Sequence, residues 1–167
     1  AAGTEQSTGT KLLSISGDSE HPGIYGFPFG VSIQQVLEDC GATDCQAVQV
    51  AGAAGFTIPA EEFNHSIAFE DVSTGGSLMV FSHERDLLDM VQNFARFFVH
   101  ESCGFCTPCR VGGALLKDLV DKVHAGMAGQ YDIGELRNIG ILMKSTSHCG
   151  LGTTAPSPVL DTLDKFP

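Results

Sequence analysis

Three cysteines stand two residues apart in Glu101-Ser102-Cys103-Gly104-Phe105-Cys106-Thr107-Pro108-Cys109-Arg110, and a fourth, Cys149, follows in Ser147-His148-Cys149-Gly150-Leu151-Gly152. The C-x2-C-x2-C spacing puts three thiolates on one tight loop, with Gly104 and Pro108 supplying the turn chemistry. Three such ligands cover one side of a small inorganic core, and a cubane iron–sulfur cluster takes four. In the two-cluster ferredoxin pattern another cysteine and a proline follow closely and serve a second cluster. Arg110 stands here instead, so one 4Fe-4S cluster on Cys103, Cys106, Cys109 and Cys149 is expected. Arg110 is placed to offset part of its negative charge, and His148 is a candidate hydrogen-bond donor to sulfur.

Other chemistries compete for the same residues. An all-cysteine set also suits structural zinc, which would make the chain a protein-docking module. Zinc knuckles usually come as two separated C-x2-C pairs, unlike three evenly spaced cysteines in one loop. Free thiols are a third reading. His100 or His148 could replace a ligand, but Cys149 already completes the set. Cys40 and Cys45 imitate a two-iron spacing, yet no further ligand precedes Cys103, so they read as ordinary packed thiols at a helix end. Gly52-Ala53-Ala54-Gly55 lacks a dinucleotide fingerprint, and Gly3 to Lys11 is not a phosphate loop. No serine–histidine–acid arrangement stands out, and no catalytic residue is assigned.

The elements that must position these cysteines follow from pattern. From Arg85 to Glu101, apolar residues recur at helical spacing, as they do from Val111 to His124. Asp132 with Glu135 resembles a capping box before Leu136, Ile139, Leu142 and Met143. Ser157-Pro158 opens a last helix. Residues 83–167 therefore read as a four-helix bundle. In an up-down bundle the first and third links lie at the same end, which delivers Cys149 to the other three. Residues 11–82 read differently. Lys11–Ser16, Ile24–Phe27, Ala47–Val50, Ile67–Phe69 and Leu78–Phe81 are strand candidates, residues 51–60 a loop, and Ser32 caps a helix over Ile33–Asp39. This gives an α+β chain: a small β-grasp-like domain, then the bundle. Residues 1–10 read as a linker or the tail of a preceding domain.

Composition bounds the function. Twenty acidic residues against nine basic ones give a formal charge of -11, which repels phosphate backbones and anionic membrane surfaces. No apolar run reaches the roughly 18 residues of a membrane span, and the N-terminal residues do not resemble an export signal. Six cysteines in 167 residues, three of them crowded together, fit a reduced, cytoplasmic setting better than a disulfide scaffold.

The cluster loop, the Ser147–Gly152 loop, and Gly9–Asp18 with His21–Tyr25 together resemble the NADH-oxidising flavoprotein subunit of respiratory complex I and its soluble relatives. Phe69-Glu70-Asp71, Gly75-Gly76-Ser77 and the Ser-His-Cys-Gly-Leu-Gly form are most similar to the diaphorase large subunit of NAD-reducing nickel–iron hydrogenases. NAD-linked formate dehydrogenases carry a similar subunit. The resemblance implies a soluble-ligand-binding β-grasp domain and a 4Fe-4S cluster on the four cysteines. It implies electron exchange with a nearby FMN, and partner subunits that carry further iron–sulfur clusters. Family members place FMN and NAD(H) on a domain preceding this region, so none of their binding residues carries over. The chain is then expected to be part of an NAD(H)-dependent oxidoreductase without reacting with NADH on its own.

Overall fold

A computed structural model describes residues 2–166. Ala1, at the start of the predicted linker, and Pro167, at the end of the predicted bundle, lie outside the described residues. The chain divides into two compact units, one up to Arg85 and one from Asp86 onward.

The first unit is a mixed sheet with one α-helix and a short 3-10 turn at Ala60–Glu62. Its strands are β1 (Thr10–Gly17), β2 (Gly23–Pro28), β3 (Cys45–Val50), β4 (Phe56–Pro59) and β5 (Ser77–Ser82), with α1 (Ile33–Asp39) between β2 and β3. The order across the sheet is β2-β1-β5-β3-β4. The β1–β5 pair is parallel, and the other three pairs are antiparallel. Alternation explains β1: Leu13 and Ile15 turn inward while Leu12, Ser14 and Ser16 face out, as period-2 geometry requires. The Ser32 hydroxyl accepts the Gln35 N–H and starts α1. That helix lays Ile33, Val36 and Leu37 into a core shared with Leu13, Val48, Val50, Leu78 and Val80. Gly17 is required where β1 runs beside β5: its φ is +91°, and a Cβ there would stand 2.2 Å from the Val80 carbonyl oxygen.

Three local expectations change. The predicted loop at 51–60 contains β4, because Phe56–Pro59 folds back on Ala47–Val50 as a hairpin. Residues 67–69 form no strand: Ile67 makes an isolated bridge with Val72 and donates its N–H to the Val31 carbonyl. The segment before β1 folds back on itself through a Gly3–Thr8 bridge. It is then held by Ser7, whose hydroxyl donates to Glu70 and accepts the Phe69 N–H.

The second unit is helical: α2 (Leu87–Glu101), α3 (Thr107–His124), α4 (Gln130–Thr146), α5 (Gly150–Thr154) and α6 (Ser157–Lys165). Asp86 caps α2 through the Leu88 N–H. One apolar face of α2, Met90, Val91, Phe94, Ala95 and Phe98, is buried. Leu116 and Val120 of α3, Leu136 and Met143 of α4 and Val159 of α6 are buried as well. The helix predicted from Asp132 starts earlier, at Gln130. Asp132 is its third residue, and its carboxylate accepts the Gly129 N–H while pairing with Lys122 at 2.7 Å. A fifth helix, α5, is inserted after Cys149. Among the described residues no helix is long and apolar enough to cross a membrane.

Candidate metal centre

Cys103, Cys106, Cys109 and Cys149 line one cavity of about 260 Å³ in the helical unit, together with Glu101, Ser102, Phe105, His148 and Leu151. Helix ends bring them there. Ser102 terminates α2, and Gly104 turns the chain through φ +74°. Cys106 is the N-cap of α3, and Pro108 sits in its first turn, where its missing N–H is not needed. Cys109 follows on that turn. Cys149 is the N-cap of α5, just after α4 ends. At Cys106 the N–H groups of the helix start favour anionic sulfur over neutral thiol.

Local donors reinforce this. The backbone N–H groups of His148 and Cys109, in that order of effect, hold the Cys106 thiol below its ordinary value, with a smaller contribution from Arg110. Arg110 itself donates to the Gly104 carbonyl at 2.5 Å and so braces the loop. His148 acts on sulfur through its backbone. Its ring packs edge-on against Phe105, centroids 5.5 Å apart. Cys109 is buried, Cys106 intermediate, and Cys103 and Cys149 exposed.

Two serines that spacing alone gives no reason to single out belong to the same site. The Ser102 hydroxyl lies 3.3 Å from Cys109 Sγ and accepts the Gly104 N–H. Ser147 Oγ is buried and has no hydrogen-bond partner among the described residues. An orphaned buried hydroxyl beside a set of thiols calls for a further polar occupant. The only available sequence signal is that each serine lies within two residues of a ligand-type cysteine.

Sulfur spacing tests which group fits. Tetrahedral zinc with Zn–S near 2.3 Å holds its sulfurs about 3.8 Å apart. Among the described residues, the only set of three metal-ligating side chains with donor atoms within 4.8 Å of one another is the exposed group Asp86, Asp89 and His124. No three of the four cysteines meet that distance, although all four face one cavity. Four thiols converging on one cavity are the donor set that an iron–sulfur cluster takes. The Asp86 group is accounted for by the α2 cap and by a His124–Asp89 hydrogen bond of 2.6 Å.

Cys40 and Cys45 are elsewhere, buried in the first unit with their thiols donating to the Leu37 and Ala47 carbonyls. Burial pushes the Cys45 thiol up to about 11, so it stays protonated and unreactive at neutral pH.

Comparison with known proteins agrees with this chemistry. Residues 89–167 match the NADH-ubiquinone oxidoreductase-F iron-sulfur binding region. Over its full length the chain is 45% identical to the NAD-reducing hydrogenase HoxS subunit alpha of Cupriavidus necator, of which it covers 28%. It is 31% identical to an NADH-quinone oxidoreductase subunit of Aquifex aeolicus over 99% of its own length and 40% of that protein. A crystal structure of an NAD+-reducing [NiFe]-hydrogenase in the H2-reduced state superposes with a TM-score of 0.94 at 42% identity, covering 99% of this chain and 29% of the other. The chain thus spans well under half the length of these relatives. It is similar along its length to the hydrogenase alpha subunit and to the NADH-quinone oxidoreductase subunit, and the iron–sulfur match falls on its helical unit.

Proposed function

We propose that Cys103, Cys106, Cys109 and Cys149 hold one 4Fe-4S cluster, and that the chain relays electrons between an FMN and NAD(H) site on a family domain outside these 167 residues and iron–sulfur clusters of partner subunits. The observation that carries this reading is the convergence of Cys103, Cys106, Cys109 and Cys149 on one cavity of the helical unit. In the same reading the first unit is a β-grasp-like domain and the second a four-helix bundle to which α5 adds a turn. The domains run over residues 11–82 and 83–167, and the setting is the cytoplasm.

When bound, such a cluster accepts and returns an electron at a potential set by its surroundings. The chain's residues do the rest. Cys103 on the α2–α3 loop, Cys106 and Cys109 at the start of α3 and Cys149 at the α4–α5 junction fix position. The α3 start and the N–H groups aimed at Cys106 stabilise negative charge on sulfur. Phe105, His148 and Leu151 line the cavity beside the sulfurs, and Cys109 is the one cysteine of the four that is buried.

Anaerobic purification tests the proposal. About four irons and four acid-labile sulfides per chain, with a paramagnetic signal on reduction, are expected. A colourless protein with stoichiometric zinc would establish the docking-module alternative instead.

A further inference from the structure

We infer that Ser102 is a positioning residue that tunes the electron affinity of the centre by donating its hydroxyl hydrogen to Cys109 Sγ. The inference rests on the four-cysteine reading above and adds to it a named source of control. A serine hydroxyl has one hydrogen to give and lone pairs to accept with. The Gly104 N–H occupies the acceptor side at 3.3 Å. Cys109 Sγ lies 3.3 Å away on the other side. A ligating cysteine has lost its proton, so within this pair only Ser102 can donate. The result is a directed chain, Gly104 N–H to Ser102 Oγ–H to Cys109 Sγ.

Cys109 is 8% exposed, the most buried of the four sulfur-bearing residues. Water is therefore poorly placed to replace the hydroxyl there, whereas the exposed Cys103 and Cys149 can be hydrated. A donor to thiolate favours the state with more negative charge on sulfur, which is the reduced one. Removing it lowers the midpoint potential. Ser102 follows the last residue of α2, and the bonds that fix its hydroxyl are those to Gly104 and Cys109.

The test compares Ser102→Ala, Ser102→Thr and Ser102→Cys in the full chain, purified anaerobically, by iron and sulfide content and by a redox titration followed by paramagnetic resonance. Ser102→Ala is expected to keep its iron and shift the midpoint to more negative potential. The reduced-to-oxidised ratio at fixed potential should fall by up to about tenfold, which is about 59 mV for a one-electron couple. Ser102→Thr restores the hydroxyl and the original midpoint. Ser102→Cys, a weaker donor, shifts it in the same direction by less, and it decides the matter if the alanine variant does not load. An unchanged midpoint in an iron-replete Ala or Cys variant overturns the role of Ser102 and leaves the four-cysteine reading intact. A parent protein without iron overturns both.

Discussion

Gly152 leaves no room for a side chain against Cys109: a Cβ at Gly152 would stand 3.0 Å from the Cys109 Cβ and 2.6 Å from Ser147 Oγ. The α5 turn can therefore close on α3 only because residue 152 is bare. That closure sets where Cys149, at the start of the same turn, faces the other three cysteines. Gly152→Ala is expected to push α5 outward by overpacking, at a cost of about 1–3 kcal/mol. Iron content per chain should fall, and the helical unit should unfold at lower urea. Full iron and an unchanged urea midpoint would show that α5 has slack.

The cysteines themselves make a stricter prediction. Cys103→Ala, Cys106→Ala and Cys109→Ala are each expected to lose the cluster and loosen the helical unit, because binding and local folding are coupled. Visible absorbance and metal analysis read the loss. Amide exchange over residues 101–110 and 147–152 reads the loosening. Retention of four irons in any of these variants would exclude that residue as a ligand.

The site was more legible than the details of the fold. C-x2-C-x2-C is a local pattern, and periodicity located α2, α3 and α4, although α3 starts at Thr107, ahead of the expected Val111, and takes Cys109 into its first turn. Cys149 required a topological step, since about forty residues separate it from Cys109. What sequence reading missed depends on tertiary contact. Gly150–Thr154 has two glycines in five residues and no helical pattern of its own. It is a helix where it packs on α3 and α4. The β4 strand is hidden in a glycine- and alanine-rich stretch and is defined by pairing with β3. Conversely, Ile67–Phe69 has strand composition but no neighbouring strand to extend along, so it remains a bridged loop. The roles of Ser102 and Ser147 depend on which way a hydroxyl points, which spacing does not encode.

The sheet of the first unit contains a buried polar pair that should be sensitive to a small change. Gln49 is fully buried on β3. Its side-chain oxygen accepts the Thr57 hydroxyl at 2.7 Å, and its amide donates to the Gly52 carbonyl at 2.9 Å. These bonds fasten the β3–β4 hairpin around its loop. Thr57→Val keeps the shape but strips Gln49 of that donor. A cost of about 1–3 kcal/mol is expected, since a buried acceptor is left unsatisfied. Urea unfolding followed by a probe in the first unit measures it. A loss under about half a kilocalorie per mole, well below that range, would mean another donor takes the place of Thr57.

Asp18 and Arg85 give the first unit a pH dependence with a definite sign. Arg85 donates to both Asp18 oxygens, at 2.6 and 2.8 Å, and Ser82 adds its backbone N–H and its hydroxyl. The Arg85 hydrogen bond is the main cause that holds the Asp18 carboxyl at about 2, against an ordinary value of 3.8, while partial burial works the other way. The folded state thus binds this proton less readily than the unfolded chain, and stability from this group rises with pH. The contribution is complete above about pH 3.8 and is lost as pH falls toward about 2. Arg85 is 56% exposed, so solvent screening reduces the effect to about 1–2 kcal/mol. Asp18→Asn should be less stable than the parent by that amount at pH 7. The gap between the two urea midpoints should narrow steadily below about pH 4. A gap that stays constant down to about pH 2.5 would show that Asp18 acts through hydrogen bonds an asparagine can replace or lose independently of charge.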